Sequence, residues 1–257
     1  MRKEYGYQIA GIIPARYASS RFPGKPLALI GDKPMIRRVY EQAGKSLDIV
    51  YVATDDKRIY DAVIDFGGKV VMTSTEHMSG TDRCAEAVSL ITGKGGLKVD
   101  VVVNIQGDEP FIRPEQINLL VSCFSDKKVE IATLVKRAMP GEDIFNPNQP
   151  KVIINALGDA VYFSRAAIPY IRDSEQALWS WKHVYYKHIG LYAYKTDTLK
   201  KLTTLVRSPL EIAESLEQNR WIEYGFRIRT ATTEWDNIGI DTVDDLNKAV
   251  TYLNHFI

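Results

Sequence analysis

Three cations, Arg16, Arg21 and Lys25, sit on one loop that follows the apolar stretch Ile9 to Ile13. Guanidinium and ammonium groups gathered on a single loop match the oxygens of a polyphosphate. Pro14, Pro23 and Pro26 limit the loop's φ angles and Gly24 permits a tight bend, so the donors are arranged before any ligand arrives. A solvated basic turn is the competing reading, and the loop's place after the first strand favours a ligand. Two familiar phosphate cradles are excluded. There is no Gly-x-x-x-x-Gly-Lys-Ser/Thr, and Gly11 lacks the remainder of a dinucleotide fingerprint.

Asp108 ends the run Val101-Val102-Val103-Asn104-Ile105-Gln106-Gly107 and precedes Glu109 and Pro110. A carboxylate there can hold Mg²⁺, which takes oxygen ligands and keeps waters and phosphate oxygens. It could equally be a turn or helix-cap acid. A second acid, Asp241 in Asn237-Ile238-Gly239-Ile240-Asp241-Thr242, tips the reading toward metal. Asp241 or Thr242 could still cap the last helix, and Asp244 and Asp245 read better as acids that complement its dipole. Two carboxylates from remote segments facing a basic triphosphate loop predict metal-assisted phosphoryl or nucleotidyl transfer.

The elements that must position these groups follow a strand-helix rhythm. Strands are predicted at Gln8 to Ile13, Ile49 to Ala53, Lys69 to Met72, Asp100 to Ile105 and Glu130 to Val135. Helices are predicted at Pro34 to Ala43, Asp56 to Phe66, Thr81 to Ile91 and Pro114 to Phe124. This alternation implies an α/β fold with a mostly parallel twisted sheet and βαβ units. The loops after strands, Ala53-Thr54-Asp55-Asp56 and Gln106-Gly107-Asp108-Glu109-Pro110, are then expected to line one pocket with the basic loop. After about Gly141 the pattern turns mixed and partly antiparallel. It holds a hairpin around Gly158-Asp159, a strand at His188 to Tyr194, a helix capped by Ser208 running toward Trp221, a strand at Phe226 to Ala231, and a closing helix at Thr242 to Leu253. The organisation expected is one domain over 1–257, with 1–140 mainly nucleotide-binding, 141–235 mainly for a second substrate and dimerisation, and 236–257 carrying the metal-ligand strand end and closing helix.

The 257 residues carry 33 basic and 32 acidic side chains, so no overall field favours nucleic acid or a membrane surface. Cys84 and Cys123 are too few for a disulfide scaffold or a Cys-based zinc site, and inert thiols are expected. The N-terminal charges lead into no long apolar run and no segment approaches a membrane span, which makes a cytoplasmic location the default expectation.

Six ordered motifs carry a resemblance. They are Arg16-x-x-Ser19-x-Arg21-x-Pro23-Gly24-Lys25-Pro26, Ala53-Thr54-Asp55, Ser79-Gly80-Thr81-Asp82-Arg83, Asn104-x-Gln106-Gly107-Asp108-Glu109-Pro110, Tyr162-Phe163-Ser164-Arg165-x-x-Ile168-Pro169 and His188-x-Gly190-x-Tyr192. From about Ile9 to Leu246 the chain resembles the 3-deoxy-D-manno-octulosonate (Kdo) cytidylyltransferases, proteins of the nucleotide-diphospho-sugar transferase type. The resemblance implies transfer of CMP from CTP to Kdo with Mg²⁺, releasing pyrophosphate and activating Kdo for lipopolysaccharide synthesis. It places Arg16 and Lys25 on the triphosphate with Arg21 as helper. Ala15, Ser79, Arg83 and Gln106 would surround cytidine, and Asp108 and Asp241 would hold magnesium. Arg165 would meet the sugar carboxylate, with His188, Tyr192, Glu217 and Gln218 at its hydroxyls. Taken alone, His188 and Tyr192 read as packed strand residues, and Glu217 and Gln218 as a helix's solvated face.

The resemblance also implies a homodimer built from the second half of the chain. Two departures stand out: the closing helix lacks the family's proline at its start, and residues 172–187, with Trp179, Trp181 and His183, differ most. The second leaves open a modified Kdo or a related acidic sugar as substrate; an acylneuraminate or other acidic sugar is the runner-up, and Tyr162 to Arg165 favours Kdo. A noncatalytic nucleotide-binding protein is the alternative from another class, set against by the presence of Arg16, Lys25, Asp108 and Asp241 together.

Overall fold

The computed structural model describes residues 4–18, 22–93 and 96–256. Its elements run β1 (Ile9–Ala15), β2 (Leu29–Ile30), β3 (Lys33–Pro34), α1 (Met35–Gly44), β4 (Val50–Thr54), α2 (Lys57–Asp65), β5 (Val70–Met72), α3 (Gly80–Ile91), β6 (Val101–Asn104), α4 (Pro114–Ser122) and β7 (Ile131–Arg137). The order continues with β8 (Lys151–Ile154), β9 (Asp159–Ser164), α5 (Trp179–Lys182), β10 (Tyr186–Lys195), α6 (Thr196–Leu202), α7 (Pro209–Glu214), α8 (Glu217–Glu223), β11 (Ile228–Thr232) and α9 (Val243–Phe256). The chain divides into two compact units. The first is Met1–Asn118, Ala193–Thr203 and Asn237–Ile257; the second is Leu119–Tyr192 and Thr204–Asp236.

In the first unit the strands lie in the order β5-β4-β1-β6 and all pair in parallel, with Gly11 opposite Val50, Ile9 opposite Val101 and Val52 opposite Val70. Every residue of β6 is buried, so both faces of this strand are covered, as continuous valine runs in parallel sheets require. Helix α1 turns Met35, Ile36, Val39 and Ala43 inward at helical spacing, and the first three contribute about 1.5–3 kcal/mol each by burial. Asp56 caps α2 by accepting from the Arg58 N–H at 2.9 Å. The closing helix packs Ala249 and Leu253 against Ile30, Met35, Phe111 and Ile240, which anchors the segment that carries Asp241. Strand β1 has β4 on one side and β6 on the other, so the direction of strand succession reverses at its carboxyl end, the place where such sheets bind ligands.

The second unit is mixed. Strand β11 runs parallel to β7 with Ile228 opposite Ile131, antiparallel to β9 with Ile228 opposite Ala160, and β9 is antiparallel to β8 with Val152 opposite Phe163. The hairpin expected around Gly158 and Asp159 is β8–β9. The helix expected to run from Ser208 toward Trp221 is instead two helices, α7 and α8, because Ser215 adopts a left-handed conformation at φ 50°. The break lets the Glu214 carboxylate turn to accept from Ser164 Oγ at 2.6 Å, Tyr162 OH at 3.0 Å and the Arg165 N–H at 2.9 Å. In the divergent segment Trp179 packs in a core cluster with Ala138, Ile144 and Tyr185, whereas Trp181 stays exposed. Among the described residues no helix is long and apolar enough to cross a membrane.

Candidate active site

The carboxyl ends of β1 and β6 open into a cleft of about 290 Å³ in the first unit. Pro14, Ala15 and Arg16 come from the end of β1, Lys25 and Pro26 from the basic loop, and Gln106, Gly107 and Asp108 from the loop after β6. His77 through Gly80 and Arg83 come from the start of α3, and Asp241 from the turn before α9. Local chemistry explains the approach of these segments. Gly24 sits at φ 74°, where a side chain would be strained, and its N–H bonds the Tyr17 carbonyl at 2.9 Å to close the basic loop. A Cβ on Gly107 would come within 2.8 Å of the Pro14 carbonyl oxygen, so only glycine lets the β6 loop lie against the end of β1.

Lys25 lies between the two acids. Its Nζ donates to Asp108 Oδ2 at 2.7 Å and to Asp241 Oδ1 at 3.1 Å. The Lys25 side chain is only 12% exposed, against 32% for Asp108 and 46% for Asp241. The closing helix does not use Asp241 as its cap. That duty falls on Thr242 and Asp245: Asp245 N–H bonds Thr242 Oγ1 at 3.1 Å, and Asp245 Oδ2 accepts from the Thr242 N–H at 3.0 Å. Asp241 is thereby left to line the cleft.

The two acid-bearing segments are tied together behind the cleft. Ile240 N–H bonds the Asp108 carbonyl at 2.9 Å, Gln116 Nε2 donates to Asn237 Oδ1 at 2.9 Å, and Asn237 Nδ2 donates to Glu109 Oε2 at 2.6 Å. Burial, reinforced by the neighbouring Asp108 charge, pushes the Glu109 carboxyl up to about 8, and its bond from Asn237 offsets part of this. Neither Asn237 nor Gln116 is singled out by the sequence, because a lone amide carries no motif.

At the opposite side of the cleft, Arg83 is 3% exposed and its guanidinium is held by Asp55 Oδ2 at 2.6 Å and Thr73 Oγ1 at 2.6 Å. The loop after β4 therefore reaches the site through Asp55's grip on Arg83, whereas its own residues do not line the cleft. Ser79 caps α3, its Oγ accepting from the Asp82 N–H at 3.1 Å in a capping box. His77 also lines the cleft and contacts Glu86 at 2.5 Å; its adjacency to the Ser79 motif is the sequence signal that could have marked it. Gln106 Nε2 reaches Asn104 Oδ1 at 3.5 Å, and Ala15 and Arg16 line the opening. Arg21, and Ser19 of the same motif, lie outside the described residues.

The residues expected at the second substrate all fall in the second unit. His188 is half-buried, with its Nε2 3.1 Å from Thr133 Oγ1, and desolvation holds its imidazole down to about 3 and therefore neutral. Its ring lies 5.2 Å from Tyr192, whose ring is 5.2 Å from Trp221 of α8. Gln218 is 5% exposed on α8, and Glu217 pairs with Arg220 at 2.7 Å. Arg165 donates from Nε to the Glu214 carbonyl at 2.7 Å and from Nη1 to the Pro147 carbonyl at 2.9 Å, so much of its fork is committed to backbone.

The chain matches the family model described as Cytidylyltransferase over residues 10–228. It is 58% identical over 247 residues to a 3-deoxy-manno-octulosonate cytidylyltransferase of Parabacteroides distasonis, covering 95% of this chain and 97% of the relative. It is 55% identical over 248 residues to the protein of the same name from Bacteroides thetaiotaomicron, covering 95% and 98%. Among solved structures, CMP:2-keto-3-deoxy-manno-octonic acid synthetase complexed with CTP superposes with TM-score 0.88 at 40% identity, covering 97% of this chain and 100% of the other. A 4-diphosphocytidyl-2C-methyl-D-erythritol synthase from Anaerococcus prevotii, 14% identical with TM-score 0.62 over 97% and 99%, shares the fold. With a family match over most of its length and relatives above half identity from end to end, the chain belongs to the cytidylyltransferase family.

Proposed function

We propose that this protein transfers CMP from CTP to 3-deoxy-D-manno-octulosonate in a magnesium-dependent reaction, giving CMP-Kdo and pyrophosphate and so activating Kdo for lipopolysaccharide synthesis. The observation that carries the reading is the convergence of Arg16, Lys25, Asp108 and Asp241 in one cleft, in a chain 58% identical to a named Kdo cytidylyltransferase. The oxygen of the sugar's anomeric hydroxyl attacks the α-phosphorus and loses its proton, while the bond from the α-phosphorus to the bridging oxygen breaks and pyrophosphate departs. No covalent enzyme intermediate is needed, so positioning and charge neutralisation supply the catalysis.

Arg16 and Lys25, with Arg21, bind the triphosphate; Ala15, Ser79, Arg83 and Gln106 surround the cytidine. Arg83's donors to Asp55 and Thr73 fix it rigidly, so it orients the pocket wall as well as bounding it. The donor set at Asp108 and Asp241 suits a hard divalent cation, because two carboxylate oxygens converge on one cationic atom. Magnesium bound there would neutralise phosphate charge and activate the α-phosphorus. For the acidic sugar, the proposed partners are Arg165, His188, Tyr192, Glu217 and Gln218, and the active species is proposed to be a cytoplasmic homodimer.

Incubation with CTP, Kdo and Mg²⁺ should release pyrophosphate and form CMP-Kdo. Turnover with a sialic acid and none with Kdo would reassign the sugar. CTP binding without product from any acidic sugar would leave a nucleotide-binding protein. Sedimentation showing only a 29.0 kDa species at micromolar concentration would reject the dimer.

A further inference from the structure

Lys25 Nζ lies between the two carboxylates proposed to hold a divalent cation. Its ammonium donates to both Asp108 and Asp241, at 2.7 and 3.1 Å, and it is the least exposed of the three. The two carboxylates come from segments 133 residues apart in sequence and would repel one another without a cation between them. The backbone of Lys25 is fixed by Gly24 and by the short helical turn Lys25–Leu27 with Pro26 as its second residue, so only the side chain can change partners. Nor can the acids swing away easily. Asp108's carbonyl is bonded to Ile240, and the amide of Asn237 ties Asp241's segment to Glu109.

We propose that Lys25 is a stand-in for the metal: in the nucleotide-free protein its ammonium holds the two carboxylates closed, and a divalent cation gains them only when a polyphosphate draws Lys25 away. This rests on the nucleotidyl-transfer reading of the same cleft and adds an order of events to it. Lys25 has two alternative sets of anionic partners, the carboxylates and the phosphate oxygens, and cannot satisfy both in one position. A unit charge within 4 Å of the metal position opposes cation binding strongly in a half-buried cleft. Free metal is therefore excluded from the empty protein. Metal and triphosphate are accepted together, because the triphosphate supplies both the oxygens that take Lys25 and oxygens that complete the metal's shell. Bridging by Lys25 also keeps the two carboxylates near one another, without the repulsion that two open carboxylates would bring.

The test reads metal binding without turnover. Titration of the nucleotide-free protein with Mn²⁺, followed by the Mn²⁺ electron paramagnetic resonance signal, should show only weak, millimolar binding. Lys25→Met, which keeps the length of the side chain and removes its charge, should bind Mn²⁺ at least tenfold more tightly, and adding Asp108→Asn should abolish the gain. Mn²⁺ should raise the melting temperature of Lys25→Met more than that of the native protein, and Lys25→Arg should behave as the native protein does. Equal Mn²⁺ affinity in the native protein and Lys25→Met overturns the proposal. If Lys25→Met fails to fold, the native protein alone still decides: Mn²⁺ binding below about 100 µM without nucleotide, lost in Asp108→Asn, overturns it too. Pyrophosphate release from CTP and Kdo by the native protein is measured separately, so failure of the functional reading is distinguishable from failure of the lysine–metal exchange.

Discussion

Replacing Asn237 by alanine isolates the device that holds the two acids in register. The change removes the bond from Gln116 at 2.9 Å and the bond to Glu109 at 2.6 Å, while leaving the backbone bond from Ile240 to Asp108 in place. Gln116 is fully buried and Glu109 is 8% exposed, so neither partner is restored by bulk water. An orphaned buried polar group costs about 1–3 kcal/mol, and with a water partly filling the space the pair should cost about 3 kcal/mol together. For a chain of this size that lowers the melting temperature by about 6–12 °C. A purely structural role would stop there. If the amide also sets where Asp241 sits, Asn237→Ala should raise the Mg²⁺ concentration needed for half-maximal rate several-fold, with little change in KM for CTP at saturating metal. Thermal melts and a metal titration of initial rates measure the two parts. A melting temperature within about 2 °C of the native value, together with an unchanged metal requirement, would refute the reasoning, since a fully buried donor would then have lost its acceptor at no cost.

Asp241→Asn should reduce turnover by about 10²–10³-fold at limiting Mg²⁺ and leave CTP affinity nearly intact, because it removes a ligand charge and no phosphate donor; near-normal turnover at saturating Mg²⁺ would take Asp241 out of the metal site. Ser79→Ala removes the cap of α3 and should cost about 1 kcal/mol of stability, read by urea unfolding. Its effect on CTP affinity should stay below about threefold, because the hydroxyl oxygen is already committed to the Asp82 N–H. A tenfold loss in calorimetry would show that the hydroxyl reaches the nucleotide. His188, held at about 3 against an ordinary 6.5, binds its proton more readily in the unfolded chain. Stability should therefore fall as pH drops from 6.5 toward 3, by up to about 1.4 kcal/mol per pH unit from this residue. His188→Asn should flatten that slope, and an equally steep slope in the variant would refute the assignment.

What was legible in the sequence was whatever a short stretch of chain decides by itself. The valine run of β6 announces a strand covered on both faces. Pro26 and Gly24 announce a stiff loop, and the spacing over Thr81 to Ile91 announces a helix, all of which the structure contains. The helix from Ser208 was misjudged as continuous because its break at Ser215 is set by Glu214 reaching Ser164 and Arg165, residues some 50 positions away. No local pattern encodes that choice. The same distinction runs through the site. Residue types mark Lys25, Asp108 and Asp241 as a cation and two acids that could meet a metal triphosphate. Only their positions in space reveal that the lysine answers both acids at once, and that Thr242 and Asp245 relieve Asp241 of capping. That relief is what the role proposed for Asp241 needs. A carboxylate spent on a helix N-terminus has few lone pairs left for a cation, whereas one left facing an ammonium can exchange it for a metal ion. Val243 can open the helix for the same reason without a fixed φ, since the Thr242–Asp245 capping box holds the helix start by side-chain bonds.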